Sequence, residues 1–185
     1  MKTLSEIYLD CKKGDWPDKG SVHSYIEIYE ELLSPYRHTA KNVLEIGLMS
    51  GESLRMWDEY FDGTVYGMDC SVTPIDGLAN LKPIMAEGKH NIVIGDAANP
   101  MDIEKYFNGV KFDVVIEDAN HDIEQQLQMY VTLKPYLSKG SIYIIEDVQD
   151  IDKTFNLFVN LDGEIIDRRH IKGRYDDVLV IIRDK

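Results

Sequence analysis

Residues 42–69 read NVLEIGLMSGESLRMWDEYFDGTVYGMD, and they contain the unit from which the predicted fold is built up. The short apolar run at 42–46 predicts a buried strand that ends at the turn residue Gly47. Apolar residues at helical spacing then predict a helix, and residues 64–68 predict a second strand. A strand, a glycine turn, a helix and another strand in this order are typical of a parallel α/β sheet.

The same alternation continues along the chain. Further strands are predicted at residues 91–94, 112–116, 141–145, 164–167 and 178–182. Helical patterns separate them at residues 77–88, at 101–107 and in a third segment that Pro135 and Gly140 end, with Ile123, Leu127, Tyr130 and Val131 on one face. The last two strands are joined by a loop containing Gly173 and are expected to pair antiparallel. We therefore predict an α/β fold, a doubly wound, mostly parallel, Rossmann-like seven-stranded sheet with an antiparallel C-terminal hairpin edge and an N-terminal helical extension.

The chain of 185 residues has the size of one domain, so residues 1–185 are predicted to form a single domain. Residues 41–185 are its core, and residues 1–40 are a helical extension. The extension contains a helix face formed by Val22, Tyr25, Tyr29 and Leu32. The polar segment 18–25, DKGSVHSY, comes before this helix, and either folds over a ligand as a lid or only caps the helix through Ser21. Both interpretations stay open.

The formal charge of −13 disfavours nucleic acid and anionic membranes as partners, since both repel an acidic surface. The sequence has no run of 18 apolar residues and no signal peptide at its start, and Cys11 and Cys70 form no disulfide framework. These features predict a soluble cytoplasmic protein, and a homo-oligomer is left open. A basic cluster near the C-terminus is expected to be a solvated hairpin edge and, as the less favoured alternative, to contact an acidic acceptor: Arg168, Arg169, His170 and Lys172. The aromatic group Trp57, Tyr60 and Phe61 is expected in the core.

Acidic residues follow several of the predicted strands. Because ligands of such sheets bind at the carboxyl ends of the strands, we expect these acids to gather in one crevice: Glu45, Asp69, Asp96, Glu117, Asp118, Glu146 and Asp147. The first of them precedes glycines spaced G-x-x-x-G, not the G-x-G-x-x-G of dinucleotide sites. An acid here suits an ammonium group, Asp69 suits a ribose diol, and Asp96 suits an adenine amine. A cationic amino acid joined to adenosine fits this set better than a dinucleotide does.

A second group of acids follows the fourth and fifth strands. Asp118, Glu146 and Asp147 are expected to converge, because neighbouring strands lie about 4.8 Å apart. Such carboxylates repel one another unless a cation intervenes, and Mg²⁺ or Ca²⁺ prefers oxygen ligands. His121 comes three residues after the first acid and could accept a proton. The alternative is a helix N-terminus with favourable acids and a surface histidine.

At these motifs the sequence resembles class I S-adenosylmethionine-dependent methyltransferases. VLEIGLMSGESLRMW and YGMD resemble their first motif and second-strand acid, while DKGSVHSYIEIYEELL, IEDANHD and SIYIIEDVQD resemble the group of macrocin, mycinamicin and rhamnosyl O-methyltransferases and cephalosporin hydroxylase-like proteins. The resemblance implies Mg²⁺ held by Asp118, Glu146 and Asp147, with catalytic roles for His121, as the base, and Asp118. It implies a cofactor site that includes Glu45, Gly47, Gly51 and Asp69. We expect the same site to include five further residues: Ser50, Ser53, Asp96, Ala97 and Glu117. Met49 departs from the glycine common in class I enzymes.

The predicted activity is a Mg²⁺-dependent transfer of a methyl group from S-adenosylmethionine to a hydroxyl of a small molecule, with a sugar or a glycosylated metabolite as the expected acceptor. Two alternatives stay open. One is a hydroxylase or another enzyme on the same fold, although the missing G-x-G-x-x-G disfavours NAD. The other is a non-catalytic module that binds S-adenosylmethionine.

Overall fold

The computed structural model describes residues 2–11, 17–70, 85–86, 90–158 and 161–184. Within them, seven strands form one sheet: β1 Asn42–Ile46, β2 Thr64–Asp69, β3 Asn91–Ile94, β4 Phe112–Glu117, β5 Leu137–Ile145, β6 Glu164–Asp167 and β7 Val178–Arg183. The strand order is β3-β2-β1-β4-β5-β7-β6. Strands β1 to β5 pair parallel, and β7 is antiparallel to both β5 and β6. The predicted seven-stranded sheet with antiparallel C-terminal strands is therefore confirmed.

Eight α-helices lie within the described residues: α1 Leu4–Asp10, α2 Asp18–Ser21, α3 Tyr25–Leu33, α4 Glu52–Tyr60, α5 Pro100–Phe107, α6 Ile123–Leu133, α7 Ile151–Phe158 and α8 Arg169–Lys172. The helix predicted at residues 77–88 falls outside the described residues except for Met85 and Ala86. None of the helices described is long and apolar enough to cross a membrane.

Two apolar clusters cover the sheet. The first packs α1, α3 and α4 against the sheet and includes Leu4, Tyr29 and Trp57. The second includes Phe107 of α5 and Tyr130 of α6. Burial on both faces explains why the strands read as continuous apolar runs. The aromatic group of α4 and its end is buried as predicted, with no member more than 4% exposed: Trp57, Tyr60 and Phe61.

Strand β5 differs from its predicted bounds. It begins at Leu137, four residues before the predicted start, and it includes Gly140 at φ 77°. The register with β4 shifts in this region. Gly140 therefore serves an irregular point of a strand, where its left-handed backbone is useful, and does not end helix α6. That helix ends at Leu133 and passes into a short 3₁₀ turn.

The N-terminal extension packs on the sheet but differs in detail from the predicted pattern. Helix α3 begins at Tyr25, so Val22 lies outside it and is exposed. Helix α1 was not predicted; its seven residues are stabilised by a capping box between Thr3 and Glu6. Because α1 and α3 share one apolar cluster with β1 and α4, the extension has no separate core. The single-domain organisation of residues 1–185 stays a prediction.

Candidate active site

A cavity of about 760 Å³ opens at the carboxyl ends of β1 to β4. Strand order reverses between β1 and β4, which is where doubly wound sheets bind ligands. The volume suits a small organic ligand. Its lining includes seven of the predicted site residues: Gly47, Ser53, Asp69, Asp96, Ala97, Asp118 and His121.

The turn after β1 lies against the end of β4. Gly47 has φ 84°, and a Cβ atom added there would stand 1.9 Å from the backbone oxygen of Asp118. Only glycine fits this approach. Met49 and Gly51 also have positive φ. Position 49, where class I enzymes commonly have glycine, therefore holds a methionine in the left-handed conformation. The backbone N–H of Leu48 donates to Asp69 Oδ2 at 2.8 Å, which orients that strand-end carboxylate.

Glu45 faces the interior beneath the cavity. It is fully buried, and it accepts hydrogen bonds from Ser53 Oγ at 2.7 Å and from Trp57 Nε1 at 3.1 Å. Burial raises the pKa of Glu45, while Lys19, Ser53 and Trp57 act in the opposite direction. Ser50 Oγ donates to Glu52 instead of pointing at Glu45. Glu45 thus supports the cavity wall from behind.

Glu117 ends β4 and is also fully buried. Its Oε1 accepts the backbone N–H of Ala119 at 3.1 Å, and its Oε2 has no hydrogen-bond partner among the described residues. Burial raises the pKa of Glu117 to about 8, in spite of the hydrogen bond from Ala119. The group is therefore mostly protonated at neutral pH.

Asp118, His121 and Asp147 come together at the side of the cavity. One ligand atom from each lies within 4.8 Å of the others. His121 Nε2 stands 3.8 Å from Asp147 Oδ2, and the buried His121 Nδ1 has no partner in the part of the chain that is described. His121 has φ 60° and Asp147 has φ 55°, a strained backbone of the kind found at functional sites. Two hard carboxylates beside an imidazole fit a divalent cation.

Asp147 is held from the N-terminal extension. Tyr25 donates its hydroxyl to Asp147 Oδ1 at 2.7 Å, and His23 Nδ1 lies 3.2 Å from the same oxygen. Burial, reinforced by the charge of Asp118, raises the pKa of Asp147 to about 7. A divalent cation between the two carboxylates would lower that pKa again.

The most important group that sequence reasoning missed is Lys19. Its side chain is 1% exposed, and Nζ lies 2.6 Å from Asp118 Oδ2, 2.7 Å from Glu146 Oε1 and 3.4 Å from Glu45 Oε1. Burial lowers the pKa of Lys19, but the three carboxylates outweigh it and hold the pKa well above its usual value. The sequence did contain a signal for it, because converging strand-end acids need a counter-ion and segment 18–25 contains one lysine.

Glu146 accordingly faces Lys19 instead of the cavity. Its Oε1 accepts the hydroxyl of Tyr29 at 2.5 Å in addition to the ammonium of Lys19. Burial raises the pKa of Glu146 well above its usual value, and the charge of Asp118 adds to the effect. Of the predicted metal ligands, the structure places Asp118 and Asp147 beside His121 and sets Glu146 behind them. Its role as a ligand stays a prediction.

The predicted basic cluster fastens the N-terminal extension to the C-terminal strands. Lys172 Nζ donates to the carbonyl oxygens of Gly20 at 2.7 Å, Ser21 at 3.3 Å and His23 at 2.7 Å. Arg168 Nε donates to Ser24 Oγ at 3.0 Å. Arg168 and Lys172 thus have partners within the chain, while Arg169, His170 and Lys172 are solvent-exposed, as predicted for a solvated edge. The hydroxyl of Ser21 donates to Pro17 O at 3.2 Å and caps neither helix, so the predicted cap by Ser21 is absent. Of segment 18–25 only Asp18 lines the cavity, and its closure over a ligand stays a prediction.

Comparisons with known proteins agree with the resemblance seen in the motifs. No family profile matches the chain. The chain is 32% identical over 141 residues to 8-demethyl-8-alpha-L-rhamnosyl tetracenomycin-C 2'-O-methyltransferase of Streptomyces olivaceus, and 31% identical over 141 residues to demethylmacrocin O-methyltransferase of Streptomyces fradiae. Each alignment covers 71% of this chain but only 35% and 33% of the respective relative. The chain therefore spans about a third of the length of these curated relatives.

Solved structures share the fold. The MycE methyltransferase of mycinamycin biosynthesis, in complex with Mg and SAH, matches all of this chain and 55% of its own, with a TM-score of 0.72 and 23% identity. An O-methyltransferase from Bacillus cereus in complex with SAH matches 99% of this chain with a TM-score of 0.66 and 16% identity. The predicted class I methyltransferase fold is thereby confirmed.

Proposed function

We propose that this chain, which has the fold of class I methyltransferases and is similar in sequence to sugar O-methyltransferases, is itself a Mg²⁺-dependent O-methyltransferase that uses S-adenosylmethionine. The observation that carries the proposal is that Asp118 and His121 line one cavity and that a ligand atom of Asp147 lies within 4.8 Å of theirs. A base and two cation ligands beside a ligand-sized cavity are the parts that transfer to a hydroxyl requires.

The cofactor would lie along the turn after β1. Gly47 lets this turn pack against the backbone of Asp118, and Gly47, Asp69 and Asp96 all line the cavity. Asp69 is already oriented by the N–H of Leu48, which suits it to accept hydrogen bonds from a ribose diol. When bound, S-adenosylmethionine supplies an electrophilic methyl group, and Mg²⁺ lowers the pKa of a hydroxyl that it polarises.

The residues of the chain then have distinct tasks. Asp118 and Asp147 would hold the cation, with Tyr25 fixing Asp147 by its hydrogen bond. His121 would accept the hydroxyl proton at Nε2, the ring nitrogen that faces Asp147. His121 lines the cavity and Asp147 lies beside it, both with a positive φ, so these side chains are already placed before a ligand binds, which reduces the reorganisation needed for transfer.

We propose a sugar hydroxyl of a glycosylated small molecule as the acceptor. The support comes from the relatives, whose names specify rhamnosyl and macrocin substrates, and from MycE, which has also been solved in complex with Mg, SAH and mycinamycin VI.

Cys11 and Cys70 are both free, which supports a reducing location in the cytoplasm.

The test is methyl transfer from labelled S-adenosylmethionine to a panel of free sugars, nucleotide sugars, glycosylated macrolides and catechols, with Mg²⁺ or with EDTA. We expect transfer to a glycosylated acceptor that EDTA abolishes and Mg²⁺ restores. His121→Ala should lower the rate about 10²- to 10⁴-fold, as loss of a general base does. Asp147→Asn should raise the Mg²⁺ concentration needed for half-maximal rate.

Asp152→Asn is the matched control, because Asp152 is an exposed acid of helix α7 and lies outside the cluster. It should leave both the rate and the Mg²⁺ requirement unchanged. Full activity of His121→Ala and Asp147→Asn, or equal rates in EDTA and Mg²⁺, would show that the cluster does not carry the reaction.

A further inference from the structure

The ammonium of Lys19 joins the ends of three neighbouring strands. Glu45 belongs to β1, Asp118 follows β4 and Glu146 follows β5, and these strands are adjacent in the sheet. The lysine contacts all three from α2, a helix outside the sheet, with its side chain only 1% exposed. A buried lysine with three carboxylate partners is costly to assemble, so a role beyond local packing is worth testing.

Lys19 partly compensates the negative charge of the acids around it. Four carboxyl groups gather here, from Glu45, Asp118, Glu146 and Asp147, and Lys19 is the one ammonium within salt-bridge distance of them in the described chain. A bound divalent cation favours the ionised form of these carboxyl groups, and when all four are ionised the cluster and Lys19 together carry a net charge of −3. One divalent cation and one sulfonium carry three positive charges between them.

We propose that Lys19 is a positioning residue that acts through its fixed charge. It sets the net charge of the acid cluster to −3, the charge that one divalent cation and one sulfonium together neutralise. The inference rests on the proposed function and assigns to this site a preference for the charged over the uncharged form of its cofactor. Lys19 occupies one oxygen of Asp118 and one of Glu146, and this limits how many cations the cluster accepts.

The competing explanation is that Lys19 only anchors helix α2. Lys172 offers a matched control, because it holds the same segment through the carbonyl oxygens of Gly20, Ser21 and His23 and contacts none of the four acids. A loss of anchoring should therefore appear in Lys172→Met as well as in Lys19→Met. An effect of charge should appear in Lys19→Met alone.

The experiment measures dissociation constants by calorimetry for MnCl₂ alone, and then for S-adenosylmethionine and S-adenosylhomocysteine in the presence of Mg²⁺. Lys19→Met should bind Mn²⁺ about tenfold more tightly, because the buried ammonium no longer repels the metal ion. For the same reason it should raise the preference for the sulfonium of S-adenosylmethionine over the uncharged thioether of S-adenosylhomocysteine by about tenfold. Lys172→Met should leave the preference for the sulfonium unchanged.

Two further variants separate charge from shape. Glu45→Gln removes one negative charge behind the cavity, and it keeps partners because the Ser53 hydroxyl can turn to accept from the amide. It should weaken Mn²⁺ binding and lower the preference for the sulfonium. The double variant Lys19→Met/Glu45→Gln restores the net charge, and both quantities should return to within about threefold of the wild type.

The inference is overturned if Lys19→Met leaves the ratio of the two cofactor affinities unchanged, or if Lys172→Met shifts it equally. If Lys19→Met does not fold, Glu45→Gln decides by itself, and an unchanged ratio there overturns the inference too. A wild-type protein that binds neither S-adenosylmethionine nor Mn²⁺ would instead contradict the proposed function, so the two failures are distinguishable.

Discussion

Replacement of Glu117 by glutamine should make the protein more stable at high pH and leave it almost unchanged in acid. Glu117 is fully buried at the end of β4, and one of its oxygens lacks a hydrogen-bond partner among the described residues. Glutamine has the shape of the protonated acid but cannot ionise. The comparison therefore isolates the cost of placing a carboxylate at this position.

The magnitude follows from the pKa, which burial raises from 4.5 to about 8. A group with a raised pKa in the folded state stabilises the fold below its unfolded pKa, and that stability is lost as the pH rises through the folded pKa. At about 1.4 kcal/mol for each unit, the wild type should lose about 4 kcal/mol relative to Glu117→Gln between pH 5 and pH 9.

The assay is urea unfolding of both proteins in EDTA at pH 5 and pH 9, which excludes any contribution from bound cations. Glu31→Gln is the control, because Glu31 is an exposed acid of helix α3 and should give the same small difference at both values. A difference between wild type and Glu117→Gln that is the same at pH 5 and pH 9, within about 1 kcal/mol, would refute the reasoning.

Two further predictions concern single contacts of the site. Gly47→Ala should lower the free energy of unfolding in urea by more than about 3 kcal/mol, because its Cβ would stand 1.9 Å from Asp118 O. Gly109→Ala is the control: Gly109 has φ 80° and nothing within 4 Å of its added Cβ, so it should lose only about 1 kcal/mol. Similar losses in the two variants would contradict the clash. Tyr29→Phe should cost about 1–3 kcal/mol by leaving Glu146 without its hydroxyl donor, and Tyr36→Phe, which loses an exposed bond to Gly140 O, should cost less; the reverse order would argue against the buried bond.

The parallel sheet was predictable because its strands are buried on both faces and so appear as uninterrupted apolar runs. The turn at Gly47 and the polar residues that follow each strand were predictable for a related reason, since parallel strands present their carboxyl ends at one edge. Short or irregular elements were not. Helix α1 depends on packing against α3 and on its cap, and β5 contains a bulge at Gly140 that reads locally as a helix stop.

The candidate site divides in the same way. Asp118, His121 and Asp147 come from two adjacent strand ends, so their meeting follows from strand order and spacing. The separation of Glu146 from this group does not. It depends on Lys19 and Tyr29, which precede it by more than a hundred residues and reach it only when α2 and α3 pack on the sheet.

The sequence by itself determined the class of fold, the edge of the sheet where the cavity lies and the residue types available there, because these depend on local periodicity and on the order of strands. Only the tertiary structure decided that Glu45 and Glu146 face a buried lysine, and that Asp118 contacts this lysine and also lines the cavity. Neighbours in the chain such as Glu146 and Asp147 point in different directions, and the choice of charge partner is made by helices that are distant in sequence. The net charge of −13 shows that acidic residues are in excess. Which of them lie on the solvated surface and which pair with a buried lysine depends on how the chain packs.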